Sequence, residues 1–298
     1  MTNNRPSLDH REEIFCRAKT FVIFRRGGKF RDEDNRTYFG VRNYDHGGLG
    51  KIVTRAVAYD HAGVKLEGYL AYDDTKAPAA SKALGVLVIP EWWGLNESPK
   101  SRAGQLAKLG YVAFAADMYG AGVVTTDKDK AGQLAGQFYG KPLMADRARA
   151  GLEQLLKTGL VDAGRVAAIG YCFGGATVQT LAFSGAPIAG IVSFHGSLLA
   201  PSAEQAAKTK AKLLICHGAV APFIAKEELE AFKKAVDDAK LDYQFVSYAG
   251  AIHAFTNPGA DEMAKSAGLV GGIGYNAAAD HRSWAHMQSF FGEIFAKK

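Results

Sequence analysis

The chain has 298 residues, 48% of them hydrophobic, and a formal net charge of +6, so it can bury one large core. Its basic excess is uneven: residues 1–52 hold 11 Lys/Arg against 7 Asp/Glu, the remainder 25 against 23. A near-neutral main body without a basic stripe speaks against a nucleic-acid partner, and no apolar run reaches the ~18 residues of a membrane span. Three cysteines, Cys16, Cys172 and Cys216, make neither a disulfide framework nor a metal-ligand spacing.

Residues 1–52 show neither helical nor strand periodicity and read as a flexible N-terminal extension. Within them "FVIF" is too short, and too close to arginines, for a signal-peptide core. The expectation is a cytoplasmic protein, a monomer or weak dimer.

From Val53 the pattern becomes regular, and residues 53–298 read as one domain. "TRAVAYD" and "KLEGYLAY" alternate as two strands around the turn "HAG". "ALGVLVIP" (83–90) is continuously apolar, as a strand buried on both faces must be. "SPKSRAGQLAKLG" predicts a helix capped by Ser98 and stopped by Gly110. Next come the strand "YVAFAAD", the helix "ADRARAGLEQLLKTG" and the strand "RVAAIGY". "IAGIVSFHG" and "AKLLICHG" are two more buried strands; "KEELEAFKKAVDDA" is an amphipathic helix, "DYQFVSYAG" the last strand, and "NAAADHRSWAHMQSFFGEIF" a closing helix. Alternation at these lengths predicts a doubly wound, mostly parallel sheet with helices on both faces, an α/β fold.

"Gly170-Tyr171-Cys172-Phe173-Gly174-Gly175" places a thiol on a corner between strand and helix. In a G-x-nucleophile-x-G turn, residues two before and two after the nucleophile approach so closely that only small ones fit. The sulfur would stand at a helix N-terminus, whose partial charge favours thiolate, and the Phe173 N–H would face an oxyanion. A buried structural cysteine in a tight turn is the bland alternative. Cys216, in a buried strand, reads as structural.

A corner nucleophile needs a base after the last strand, and "SYAGAIHAFTNP" supplies His253 there. His195 and His217 end strands and read as turn residues; His281 and His286 lie on the closing helix. "VLVIPEWWGLN" ends a core strand in Glu91, a partly buried acid beside the expected thiol position, and the Trp92 N–H is the expected second oxyanion donor. Trp93, Tyr119, Phe173 and Phe255 are candidates for the substrate pocket.

Together, "PEWWGLN", "GYVAFAADMYG", "GYCFGG", "LLICHG" and "HAF", in this order, resemble the dienelactone hydrolase family of the α/β-hydrolase fold over residues 53–298. The resemblance implies Cys172 as nucleophile, His253 as base and Glu91 as the carboxylate near the thiol. It also implies hydrolysis of lactones or esters (a carboxymethylenebutenolidase-like activity) through a thioester, with no metal or cofactor.

Two departures qualify it. Where the family has an aspartate just before the proline and phenylalanine, this chain reads "HGAVAPFIAKEEL", with Ala221 at that position and Val220 beside it. Glu227 and Glu228 are expected on the following helix, and Asp117 ends another strand. Either Cys172 and His253 work as a dyad helped by Glu91, or the site is impaired. A thiol tolerates this loss better than a hydroxyl, because its pKa of about 8.5 already gives some thiolate. The family's substrate-binding arginines are also missing from "MYGAGVVTTDKDK" and "HAFTNPG", where only Lys128 could reach in, so a neutral ester or lactone is the expected substrate. Two rivals stand beside this reading: a catalytically inactive hydrolase-fold binding protein, and a redox-sensing thiol protein.

Overall fold

The structure, a computed structural model, describes residues 51–77 and 82–296. The extension expected over residues 1–52, with Cys16, lies outside them except for Lys51 and Ile52. Strand β1 (Ile52–His61) forms an antiparallel hairpin with β2 (Val64–Asp73), in register from Ile52↔Asp73 to His61↔Val64. Ala62 and Gly63 both take positive φ, which gives their two-residue turn the twist that the flanking strands require.

Six further strands complete one sheet: β3 (Ala83–Ile89), β4 (Val112–Ala115), β5 (Val161–Tyr171), β6 (Gly190–Phe194), β7 (Lys212–Gly218) and β8 (Tyr243–Tyr248). The order is β1-β2-β4-β3-β5-β6-β7-β8, antiparallel through β4 and parallel from β4 to β8. The eight helices of the described residues are α1 (Glu97–Lys108), α2 (Lys128–Gly136), α3 (Leu143–Lys157), α4 (Phe173–Phe183), α5 (Ala203–Lys208), α6 (Lys226–Asp238), α7 (Ala260–Ala267) and α8 (Ala277–Ile294).

Successive residues of a strand face opposite sides of a sheet, and β3 shows how this divides the core. Leu87 and Ile89 join Leu155 of α3, Val178 and Leu181 of α4 and Phe232 of α6. Val86 and Val88 join Leu106 of α1 and Met287 and Phe291 of α8 on the other face. All are fully buried or nearly so. Emptying one large position, as in Phe291→Ala, would cost about 3–5 kcal/mol.

The expected cap of α1 needs correction. Asn96, not Ser98, is the N-cap, because its side chain accepts the Ser98 N–H at 3.1 Å and leaves Ser98 inside the first turn. Among the described residues no helix is long and apolar enough to cross a membrane, and no group of three His, Cys, Asp or Glu is placed to hold a metal ion.

Candidate active site

The corner between β5 and α4 carries Cys172 at φ 54°, ψ −114°, a strained conformation for a residue with a side chain. The turn is held by the Cys172 N–H donating to Phe194 O at 3.0 Å and the Ala176 N–H donating to Cys172 O at 3.2 Å. Crowding explains its glycines. A Cβ on Gly170 would lie 2.0 Å from Gly174 O, one on Gly174 2.3 Å from Ile89 O, and one on Gly175 2.7 Å from Ser193 Oγ. The turn therefore demands these residues sterically, and it leaves Cys172 partly exposed at the carboxyl end of the sheet.

Burial, and then the charge of Glu91, push the Cys172 thiol up to about 12; the backbone N–H groups of Phe173 and Trp92 pull against them. The expectation that the helix N-terminus favours thiolate is therefore outweighed: desolvation exceeds the effect of the helix end and favours the thiol form. Glu91 in its charged form opposes ionisation rather than favouring it. The two N–H groups that act on the sulfur are the pair expected to serve as oxyanion donors.

Phe173 packs against Tyr119, Phe138 and Tyr139, with ring centroids 5.6–5.8 Å apart. The Tyr119 hydroxyl donates to Trp92 O at 3.0 Å. Burial raises the Tyr119 and Tyr139 phenols, and the nearby Cys172 raises them further. Three expected pocket residues are sealed instead: Trp93 is 3% exposed with its ring edge-on to Trp92, Phe173 is 1% exposed beneath the rings just named, and Phe255 is 0% exposed between His195 and Tyr248. Bulky apolar rings beside the site satisfied the core first. Tyr139, which the sequence reading passed over, is accessible.

Glu91, just past β3, is buried and accepts a hydrogen bond from Asn257 Nδ2 at 2.7 Å. Burial lifts its carboxyl to about 7, while Asn257 and the more distant Arg102 pull it down. Asn257 is itself fixed, because its Oδ1 accepts the Gly259 N–H at 2.9 Å. Arg102 of α1 pairs with Asp280 of α8 at 2.6 Å, donates to Thr256 O, and lies between the rings of Tyr171 and Trp284. Asn257, Arg102 and Asp280 were missed. The only signal for Arg102 was a cation among the apolar positions of α1.

His253 lies in the loop between β8 and α7, anchored by its bridge to Ile273 and by the Gly274 N–H, which donates to His253 O. Its ring stands between His195 and Phe223, at centroid distances of 5.2 and 5.5 Å and interplanar angles of 65° and 77°. Burial, with His217 adding to it, lowers its pKa to about 4, so the ring is neutral at physiological pH. Among the described residues no hydrogen bond joins this ring to Cys172 or to a carboxylate.

Ala221 follows β7, its N–H donating to Gly218 O, while the Val220 N–H donates to Ala251 O near the histidine loop. Among the described residues no neighbouring acid replaces it. Glu227 and Glu228 lie on the first turn of α6, where Glu228 accepts the Ala225 N–H. Asp117 accepts the N–H groups of Glu67, Tyr119 and Gly120. His286 on α8 bonds the Tyr248 hydroxyl. Lys128 opens α2, is exposed, and has its Nζ 3.8 Å from where a Cβ of Gly268 would stand, after α7.

Comparison with known proteins gives this arrangement a context. The sequence profile of the dienelactone hydrolase family matches residues 66–295. Protein usf of Aquifex pyrophilus is 30% identical over 210 residues, covering 67% of this chain and 86% of its own. A putative carboxymethylenebutenolidase of Saccharolobus solfataricus is 24% identical over 274 residues, 80% of this chain and 98% of its own. The crystal structure of a dienelactone hydrolase-like promiscuous phosphotriesterase from metagenomic libraries superposes with a TM-score of 0.77 at 38% identity, over 83% of this chain and 100% of that one.

Proposed function

This chain belongs to the dienelactone hydrolase family, and from that premise we propose that it hydrolyses small neutral carboxylic esters or lactones through a thioester on Cys172. The observation that carries the reading is Cys172 itself: a non-glycine residue at φ 54° whose sulfur faces the N–H groups of Trp92 and Phe173. A core cysteine needs neither the strain nor the donors.

The substrate carbonyl oxygen occupies the place between those two donors, each worth about 3 kcal/mol to the developing oxyanion. Cys172 Sγ attacks the carbonyl carbon as His253 accepts the thiol proton. The carbon–oxygen bond then breaks, and the alcohol leaves with the proton from His253. Water attacks the thioester with His253 again as base, the carbon–sulfur bond breaks, and the thiol is restored. Glu91 gates ionisation: charged, it holds the sulfur neutral, and protonated, it releases that hold. The rim supports a neutral substrate, since Arg102 is committed to Asp280 and Tyr119 and Tyr139 face the sulfur side.

A second substrate class, neutral phosphotriesters, is favoured by the likeness to the promiscuous phosphotriesterase. The redox-sensor alternative is disfavoured, because such a thiol needs a low pKa and that of Cys172 is raised. The test is steady-state and burst kinetics on 4-nitrophenyl acetate and on an aryl diethyl phosphate. A nitrophenol burst matching the enzyme concentration, lost in Cys172→Ala, supports the thioester route. Equal rates for parent and variant would overturn it.

A further inference from the structure

The missing acid leaves a mechanical question: what holds the His253 ring in one orientation? In a triad the carboxylate fixes the plane and tautomer of the imidazole, and its loss is costly. Here Ala221 offers no such group, and the ring makes no hydrogen bond to a carboxylate among the described residues.

We infer that His195 is the positioning residue for His253, clamping the base ring edge-to-face where other hydrolases use a carboxylate. The inference rests on the proposed function. Four observations carry it. First, the two rings meet at 5.2 Å and 65°, a T-shaped contact with a defined preferred geometry. Phe223, on the other side of His253, is 51% exposed on a surface loop, so it cannot set the plane alone.

Second, His195 is immobilised. It is 2% exposed, its backbone N–H donates to Cys216 O at 2.8 Å, and Phe255 packs on its ring at 5.2 Å. Third, its Nε2 lies 2.7 Å from Thr256 Oγ1. Thr256 sits three residues after His253, so this bond clips the histidine loop to the end of β6.

Fourth, the position is one that packing alone would not choose. His195 takes φ 43°, strained for a non-glycine residue, and its Nδ1 is buried with no partner. A buried unsatisfied polar atom and backbone strain are each unfavourable, and they tend to persist where function requires them. A phenylalanine there would fill the space without the unpaired nitrogen.

The test is a double-mutant cycle of His195→Phe and Ala221→Asp, with kcat and KM measured on 4-nitrophenyl acetate and folding checked by thermal melting. His195→Phe is expected to lower kcat about thirtyfold with KM within about twofold, since misplacing a catalytic group costs turnover rather than binding. With Ala221→Asp present, the same change should cost only about threefold, because a carboxylate then orients the ring. Equal losses in both backgrounds, or a loss confined to KM, would overturn the inference. If His195→Phe melts well below the parent, His195→Asn, which tolerates positive φ, replaces it under the same criteria. A parent with no Cys172-dependent turnover removes the proposed function and the inference together. An active parent with an additive cycle removes the inference alone.

Discussion

Asn257 donates from Nδ2 to Glu91 Oε2 across 2.7 Å, joining residues 166 positions apart in the chain. The bond links the acid beside the thiol to the loop that carries His253, and its charge dependence gives a first prediction. Burial makes the Glu91 carboxyl weaker when folded, at about 7, than when unfolded, near the ordinary 4.5. The folded state therefore holds its proton more tightly. The stability this confers is fully present below about 4.5 and lost as pH rises through about 7. Asn257 favours the charged form, so Asn257→Leu should move the upper end of that window upward. The expected loss is about 1–3 kcal/mol at pH 8 and clearly less at pH 5. Urea denaturation at the two pH values measures it, and equal losses would refute the argument.

The same carboxylate acts on Cys172. At pH 8 Glu91 is mostly ionised and raises the thiol pKa, so Glu91→Gln should expose more thiolate. A thiolate of lower pKa is also a weaker nucleophile, which offsets part of the gain. The expected outcome is alkylation of Cys172 by iodoacetamide about threefold faster than in the parent. Peptide mass analysis separates this from reaction at Cys16 and at Cys216, the latter buried. An unchanged or slower rate would show that Glu91 does not govern ionisation.

Much of the fold was readable because the buried strands of a parallel sheet leave continuous apolar runs, as "ALGVLVIP" does. The corner at Cys172 was readable for a steric reason, since its glycines are obligatory. The short helices α2, α5 and α7 were not, because segments of 6–9 residues carry too few turns for a clear period. The site's electrostatics were also hidden. Nothing in the sequence tells that Asn257 reaches Glu91, or that burial overcomes the helix end at Cys172. Such balances depend on three-dimensional desolvation, not on residue type.

Glycines at the elbow and on a helix surface predict opposite signs of substitution. At Gly170 an added Cβ would meet the Gly174 carbonyl oxygen at 2.0 Å and its carbon at 2.3 Å, backbone atoms that cannot yield cheaply. Gly170→Ala should cost more than about 4 kcal/mol, or leave a folded protein with an opened elbow and no Cys172-dependent turnover. Gly104, on α1, has no atom within 4 Å of its Cβ position. Gly104→Ala should therefore stabilise by roughly 0.5–1 kcal/mol through helix propensity. Chemical denaturation of the two variants checks both, and a mild Gly170→Ala would refute the close-packed elbow.

Arg102 and Asp280 test whether the back of the site is held by charge or by shape. Their side chains are 9% and 10% exposed and meet at 2.6 Å, with the guanidinium between two aromatic rings. Removing one partner leaves the other charged and buried, so Asp280→Leu should cost about 3–5 kcal/mol. Replacing both, as Arg102→Met with Asp280→Leu, should recover most of that loss, because the desolvation of both ions is then avoided. The double variant would still differ from the parent in one respect. Arg102 helps to pull the Glu91 carboxyl down, so without it Glu91 should titrate higher and the pH dependence of Cys172 alkylation should shift upward with it. Recovered stability with a shifted alkylation profile would separate a structural role for the pair from its electrostatic one. Recovery with an unshifted profile would show that Arg102 does not reach the acid, and that Asn257 alone opposes the effect of burial on it.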